Sequence, residues 1–416
     1  MTTITAALEK NLWVFPRYKA ATSVSPYLPI FFLFFLERIS LNEAVLLGSA
    51  YYFAVFLLEV PSGYCSDKYG RRPTLIFASI TTALACALFV IANNFTLLFI
   101  AQTLMAAGIA FRSGSDSALL YDSLRILGRE QEYANRESMA QKWSMSALAG
   151  SCLVGGILGV VDLRLPYIIA LVAAVAGVVF SVKLAEPAAE EGALTAGFLK
   201  QMQDTIKHFT HPLLGWVLGF FIVGYSLEHV PYEFYQPYVK LLGQSTFTSW
   251  LSERSAPIVS GVVLGVSMFG GAIGAMVSQQ LIDRIGLRNL LLTSILVQVG
   301  IVLGLSLVLH PLMLMLVMLR NFSMSMAHGP MLGAIAPHVP SAQRATLLSM
   351  LSLSGRAAFS AVLVTLSLLV VGKDALNWEA LSRVLGSSAL VGFVALLALH
   401  FWSTRIAGEF MLQEKT

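Results

Sequence analysis

Gly63-Tyr64-Cys65-Ser66-Asp67-Lys68-Tyr69-Gly70-Arg71-Arg72-Pro73 stands between two long apolar runs, 42–65 and 74–92. Charges and glycines crowded into so few residues do not suit hydrocarbon, so the stretch reads as a tight turn at a membrane face. A weaker copy, Gln279-Gln280-Leu281-Ile282-Asp283-Arg284-Ile285-Gly286-Leu287-Arg288, follows about half a chain later. Repetition at that interval marks an internally duplicated chain.

Working outward, the composition agrees with a membrane setting. Hydrophobic residues make up 56% of the 416 and charged residues 12%, with mean hydropathy +0.74; a soluble domain carries about 25% charged residues. Cys65, Cys86 and Cys152 are odd in number and lack metal-ligand spacing, so neither a disulfide framework nor a metal site is expected. The net charge of +4 is spread over loops, which argues against a nucleic-acid partner. A bilayer core takes about 20 apolar residues per helix. On that ruler, spans fall near 18–36, 42–65, 74–92, 95–116, 138–160 and 165–184, then 211–231, 257–281, 287–309, 311–334, 345–371 and 382–405. Residues 1–17 read as an amphipathic entry segment, 18–185 and 211–405 as two six-helix bundles, 186–210 as a linker and 406–416 as a tail. Lys and Arg favour the segments on the side of the N-terminus by three to one, which places both termini in the cytoplasm. The link 232–256 on the other side carries Tyr232, Tyr235, Tyr238 and Trp250, an interfacial aromatic mix.

The pattern Gly-x-x-x-Asp-Lys-x-Gly-Arg-Arg at 63–72 resembles the loop between helices 2 and 3 of the major facilitator superfamily of secondary transporters. The resemblance is sharp there and weaker at 112–122 and 279–288. It implies an all-α polytopic membrane protein, with twelve helices in two pseudo-symmetric six-helix bundles around a central cavity that opens alternately to either side. It further implies that Gly63, Asp67, Gly70 and Arg71 form a conformational latch with an acid at the end of helix 4, here Asp122. Asp283 and Arg284 would be its counterpart in the second half, although Gln279 and Asn289 depart from the pattern. A charge cluster that is favourable only while two bundles touch acts as a two-state device.

Helix 4 ends Ala110-Phe111-Arg112-Ser113-Gly114-Ser115-Asp116. The family associates an arginine here with proton coupling, though the glutamine-glycine that usually follows is missing. Asp116 stands four residues on, one helical turn, and can pair with Arg112. Glu59 lies two turns deeper than Asp67 in helix 2, before Pro61. It is either a reversible proton carrier or a fixed partner of Arg112. In the second half, Arg320 and Arg356 sit at mid-depth, where they either attract an anionic substrate or pair with acids such as Glu37, Glu59 or Glu228. His328 is two turns from Arg320 and either lines the same path or makes a helix–helix hydrogen bond. Tyr225, Glu228, His229, Tyr232 and Glu233 read as a vestibule or an interfacial belt. Gly261/Gly265, Gly270/Gly274 and Gly155/Gly159 have the spacing of close helix contacts. Proton-driven drug exporters of the superfamily carry Gly-Pro in helix 5; here Gly150, Gly155, Gly156 and Gly159 are present, but the nearest proline is Pro166.

The expectation is a bacterial inner-membrane transporter, not an enzyme, that couples export of a drug or metabolite to a proton gradient. Proton-coupled uptake of a small organic anion is the second reading. No bound cofactor is expected, since no Gly-Lys-Ser/Thr phosphate loop is present and a proton or sodium gradient supplies the energy. The expected partners are a small-molecule substrate and membrane lipids, with the chain a monomer. A receptor is expected to add a soluble output domain, and an enzyme to cluster nucleophile and base groups; neither pattern is read here.

Overall fold

The computed structural model describes residues 3–187, 205–244, 255–339, 341–370 and 376–413. All regular elements among the described residues are helical, which suits a backbone that must satisfy its amides without water. The first series is α1 Thr3–Ser23, α2 Phe31–Leu36, α3 Leu41–Tyr69, α4 Arg71–Ile91, α5 Phe95–Arg112, α6 Ser115–Ile126, α7 Tyr133–Gly159 and α8 Leu165–Lys183. The second is α9 Pro212–Gln244, α10 Ala256–Ile285, α11 Leu287–Leu307, α12 Met313–Met318, α13 Arg320–Ile335, α14 Ser341–Leu368, α15 Trp378–Arg405 and α16 Ala407–Gln413. Nine helical stretches among the described residues are long and apolar enough to cross a membrane. The expected spans outside those nine are broken, at 24–30 and at Leu319, or carry charges, as α7 does with Arg136, Glu137 and Lys142. The chain divides into two compact units, Met1–Ile39 with Ala50–Thr195 and Ser40–Ser49 with Ala196–Thr416.

Two sequence expectations need correction. The first helix starts at Thr3, not near residue 18, and ends at Ser23. Glu9, Lys10 and Arg17 gave residues 1–17 the look of a separate segment, but Leu8, Leu12, Phe15 and Tyr18 are at most 5% exposed. Leu12, Phe15 and Tyr18 of this stripe pack with Leu75, Leu120 and Leu184 in the core of the first unit. The second correction concerns 232–256. Its aromatic residues read as an interfacial link, yet α9 runs through Pro231 and Pro237 to Gln244 and buries Glu233, Gln236 and Tyr238; residues 245–254, with Trp250, lie outside the described residues. The expected linker 186–210 lies mostly outside the described residues.

Small residues permit two close approaches. A Cβ on Gly155 of α7 would overlap the Pro26 carbonyl, where α1 gives way to α2, and one on Gly274 of α10 would overlap the Phe322 carbonyl of α13. Backbone atoms cannot swing aside, so overpacking there costs about 1–3 kcal/mol. Around Gly265, by contrast, a Cβ meets nothing within 4 Å, and Gly→Ala inside a helix is worth about 0.5–1 kcal/mol. Gly274→Ala is therefore expected to lower the melting temperature in detergent, whereas Gly265→Ala leaves it equal or higher.

Candidate functional site

The α3–α4 turn is the densest polar contact of the first unit. Gly70 joins the helices at φ 104° and ψ 157°, a positive φ that suits glycine. Just past it, Arg71 Nη1 donates to Asp67 Oδ1 at 2.6 Å and to Ser66 Oγ at 3.0 Å, and Nε donates to Asp122 Oδ2 of α6 at 3.4 Å. The structure thus brings Asp67, Arg71 and Asp122 together. At this half-exposed position an ion pair is worth about 0.2–1 kcal/mol, so the contact can form and break at small cost.

A fourth member was missed in the sequence. Glu186, just beyond α8, accepts the Arg71 backbone N–H at 2.7 Å and the Arg72 backbone N–H at 2.6 Å. It covers amides of the first turn of α4, which have no partner inside the helix. Desolvation raises its carboxyl above the usual carboxylate range, against the opposing pull of the two amides. A Cβ on Gly70 would lie 2.7 Å from Glu186 Oε1, so this glycine is required for space as well as for φ. A Cβ on Gly63 would meet nothing within 4 Å.

In the second unit, Gly286 adopts the same conformation at φ 78° and ψ 158°. The charges around it do not follow. Asp283 Oδ1 accepts from Gln279 of its own helix at 3.0 Å, Arg284 is exposed, and Arg288 Nε donates to Ser403 Oγ at 2.9 Å.

The expected Arg112–Asp116 pair is corrected by the structure. Gly114, at φ 75°, ends α5 and starts α6 in a new direction, so the one-turn relation fails. Arg112 Nη1 donates instead to the Thr22 carbonyl at 2.6 Å. Asp116, 7% exposed, accepts from Lys19 Nζ at 2.8 Å, and Lys19 lies 3.6 Å from Glu137 Oε1. Ser117 bridges the two acids, its N–H to Asp116 at 2.7 Å and its hydroxyl to Glu137 at 3.0 Å. This group ties α1, α6 and α7 together. Glu59 is half-buried in α3, and its carbonyl accepts from the Ser62 hydroxyl at 2.8 Å across the Pro61 step.

The second unit collects its polar and aromatic groups along α9. Tyr225 and His229 stack with centroids 3.9 Å apart, and His229 Nδ1 donates to the Tyr225 carbonyl at 2.8 Å. Arg320, 7% exposed at the start of α13, holds its guanidinium 4.9 Å from the Tyr232 ring centre and donates from Nη1 to the Glu228 carbonyl at 3.4 Å. Buried Gln298 of α11 donates to the Arg320 carbonyl and to Ser323 Oγ, both at 2.7 Å, which fixes the start of α13. Arg356 of α14 is half-buried. Phe359 closes on the His229 ring at 5.4 Å. His328 is exposed on α13.

With that geometry in hand, the family model described as Major Facilitator Superfamily matches residues 17–362. The tetracycline resistance protein, class E, of Escherichia coli is 24% identical over 257 residues, 59% of this chain and 57% of that protein. The chain thus matches little more than half the length of that relative. Among solved structures, the nucleoside transporter NupG superposes with a TM-score of 0.72 at 13% identity, over 96% of this chain and 99% of that one. A peptide transporter POT in complex with sulfate gives 0.68 at 14% identity, over 96% of each chain. A bacterial homolog of the human lysosomal transporter Spinster gives 0.65 at 14% identity, over 99% of each. At such identities the likeness speaks to the fold.

Lys19 balances two acids, so its removal exposes both. Breaking a buried ion pair from one side costs about 3–5 kcal/mol. Lys19→Met is expected to lower the melting temperature markedly, and adding Asp116→Asn to recover part of the loss. Simple additivity of the two changes in thermal unfolding would contradict the coupling.

Proposed function

Because this chain belongs to the major facilitator superfamily and is a transporter of the membrane, we propose that it is a proton-coupled exporter of small organic drugs or metabolites that carry an aromatic ring. The observation that carries this reading is the α9 face, where the stacked Tyr225 and His229 lie beside Tyr232 and Arg320. Such a surface offers ring stacking and a cation within one stretch of helix. A resistance protein among its relatives supports the outward direction. Asp116, held by Lys19, and Glu59 are the candidate proton carriers, with Arg112 nearby in sequence. Asp67, Arg71 and Asp122, with Glu186, are proposed to act as a switch that rearranges during the cycle. The proton gradient supplies the energy with no bound cofactor, and the protein works as a monomer in the bacterial inner membrane with both termini cytoplasmic.

A second reading, uptake of a small organic anion, is favoured by the two cations of the second unit, buried Arg320 and half-buried Arg356. A thermal-shift screen of the detergent-purified protein separates the two. A ligand at about 100 times its dissociation constant stabilises by about 2.7 kcal/mol. Neutral or cationic aromatic drugs, tetracycline included, are expected to raise the melting temperature. Stabilisation by anions alone, lost in Arg320→Gln, would favour the second reading, and a flat response to both panels would contradict both. In liposomes, Asp67→Asn is expected to slow transport severalfold while ligand binding persists; unchanged flux would remove the switch.

A further inference from the structure

Three side chains from distant parts of the sequence converge in the second unit, away from the groups assigned to transport. His211 immediately precedes α9, His338 closes the short helical turn Ala336–His338 after α13, and Glu409 lies in α16. Their ligand atoms all lie within 4.8 Å of one another. His211 Nε2 is 4.0 Å from Glu409 Oε2, and the two imidazole centres are 4.6 Å apart.

The surroundings prepare these atoms for an ion. His338 Nδ1 donates to the Ala334 carbonyl at 3.2 Å, which leaves the lone pair on Nε2. Anchoring one ring nitrogen on a backbone carbonyl is how a metal-binding histidine is oriented. Glu409 is held in place by its neighbour. Phe410, 2% exposed, meets the Trp216 ring edge-on at 5.1 Å, and the Trp216 indole N–H donates to the Leu399 carbonyl at 2.9 Å.

We propose that His211, His338 and Glu409 form a site for one divalent transition-metal ion, with Zn2+ the best fit, that ties α16 to the start of α9 and the end of α13. Two imidazoles and a carboxylate match zinc, whereas calcium and magnesium prefer oxygen ligands. Tetrahedral zinc brings such ligand atoms to about 3.3 Å from one another, a closure of about an ångström that side-chain rotation supplies. Three protein ligands leave the fourth position to water.

The test is calorimetric titration of Zn2+ into the tag-free, full-length protein in detergent. One ion per chain with micromolar affinity is expected at pH 7.5. Affinity falls at least tenfold in His211→Ala, His338→Ala and Glu409→Gln, and at pH 5.5, where protons compete for imidazole. His400→Ala, on the exposed face of α15, is expected to bind as before. Glu409→Gln preserves shape, so it decides the matter if a histidine variant misfolds, as does the visible spectrum of tetrahedral Co2+ in the unaltered protein. Absence of saturable binding, no cobalt spectrum, or affinity unchanged in all three variants would overturn the site.

Discussion

A charge placed among apolar helices has no water to fall back on, so its partner must come from the protein. In the first unit, Lys19 serves Asp116 at 2.8 Å and Glu137 at 3.6 Å. In the second, the Tyr232 ring and the Glu228 carbonyl serve Arg320. Leaving one member of a buried pair alone costs about 3–5 kcal/mol, against a whole-protein stability of about 5–15 kcal/mol. Contacts of that size select which helices become neighbours. Lys19 joins α1 to α6 and α7, beside the core that Leu12 and Phe15 of the same helix enter.

The membrane fold was legible because its signal is a clash of composition: charges and glycines at 63–73 amid apolar runs. The grouping of Asp67, Arg71 and Asp122 followed from the family resemblance rather than from spacing. What escaped the sequence has specific physical causes. Glu186 meets α4 only because α8 packs beside it, a tertiary fact with no local trace. Arg112 and Asp116 have helical spacing, but Gly114 breaks the helix between them. In α1 the charged face outweighed an apolar stripe that was visible at Leu8, Leu12 and Phe15. In α9 the tyrosines from 232 on read as an interfacial link, although the helix continues to Gln244 and buries Tyr235 and Tyr238. The convergence of His211, His338 and Glu409 could not be read from spacing at all.

The two halves keep a common backbone device and use it differently. Gly70 and Gly286 share a conformation, so the duplicated turn survives as geometry. Its charges survive as a network only at the first copy, where Arg71 joins Asp67 and Asp122. The first unit concentrates its acids and bases around Lys19 and Arg71, while the second lines α9 with stacked rings. An interaction worth less than about 1 kcal/mol, as at the half-exposed turn, is easily exchanged; one as buried as Lys19–Asp116 is not, unless a proton replaces the lysine.

The most direct test is solute movement driven by a pH gradient in liposomes that contain only this protein. With tetracycline as the probe, together with aromatic solutes that stabilise the purified chain, the account predicts accumulation against a concentration gradient. Collapse of the pH difference by a protonophore should abolish it. Flux no faster than in protein-free liposomes, or flux indifferent to the pH gradient, would contradict proton-coupled transport of aromatic solutes.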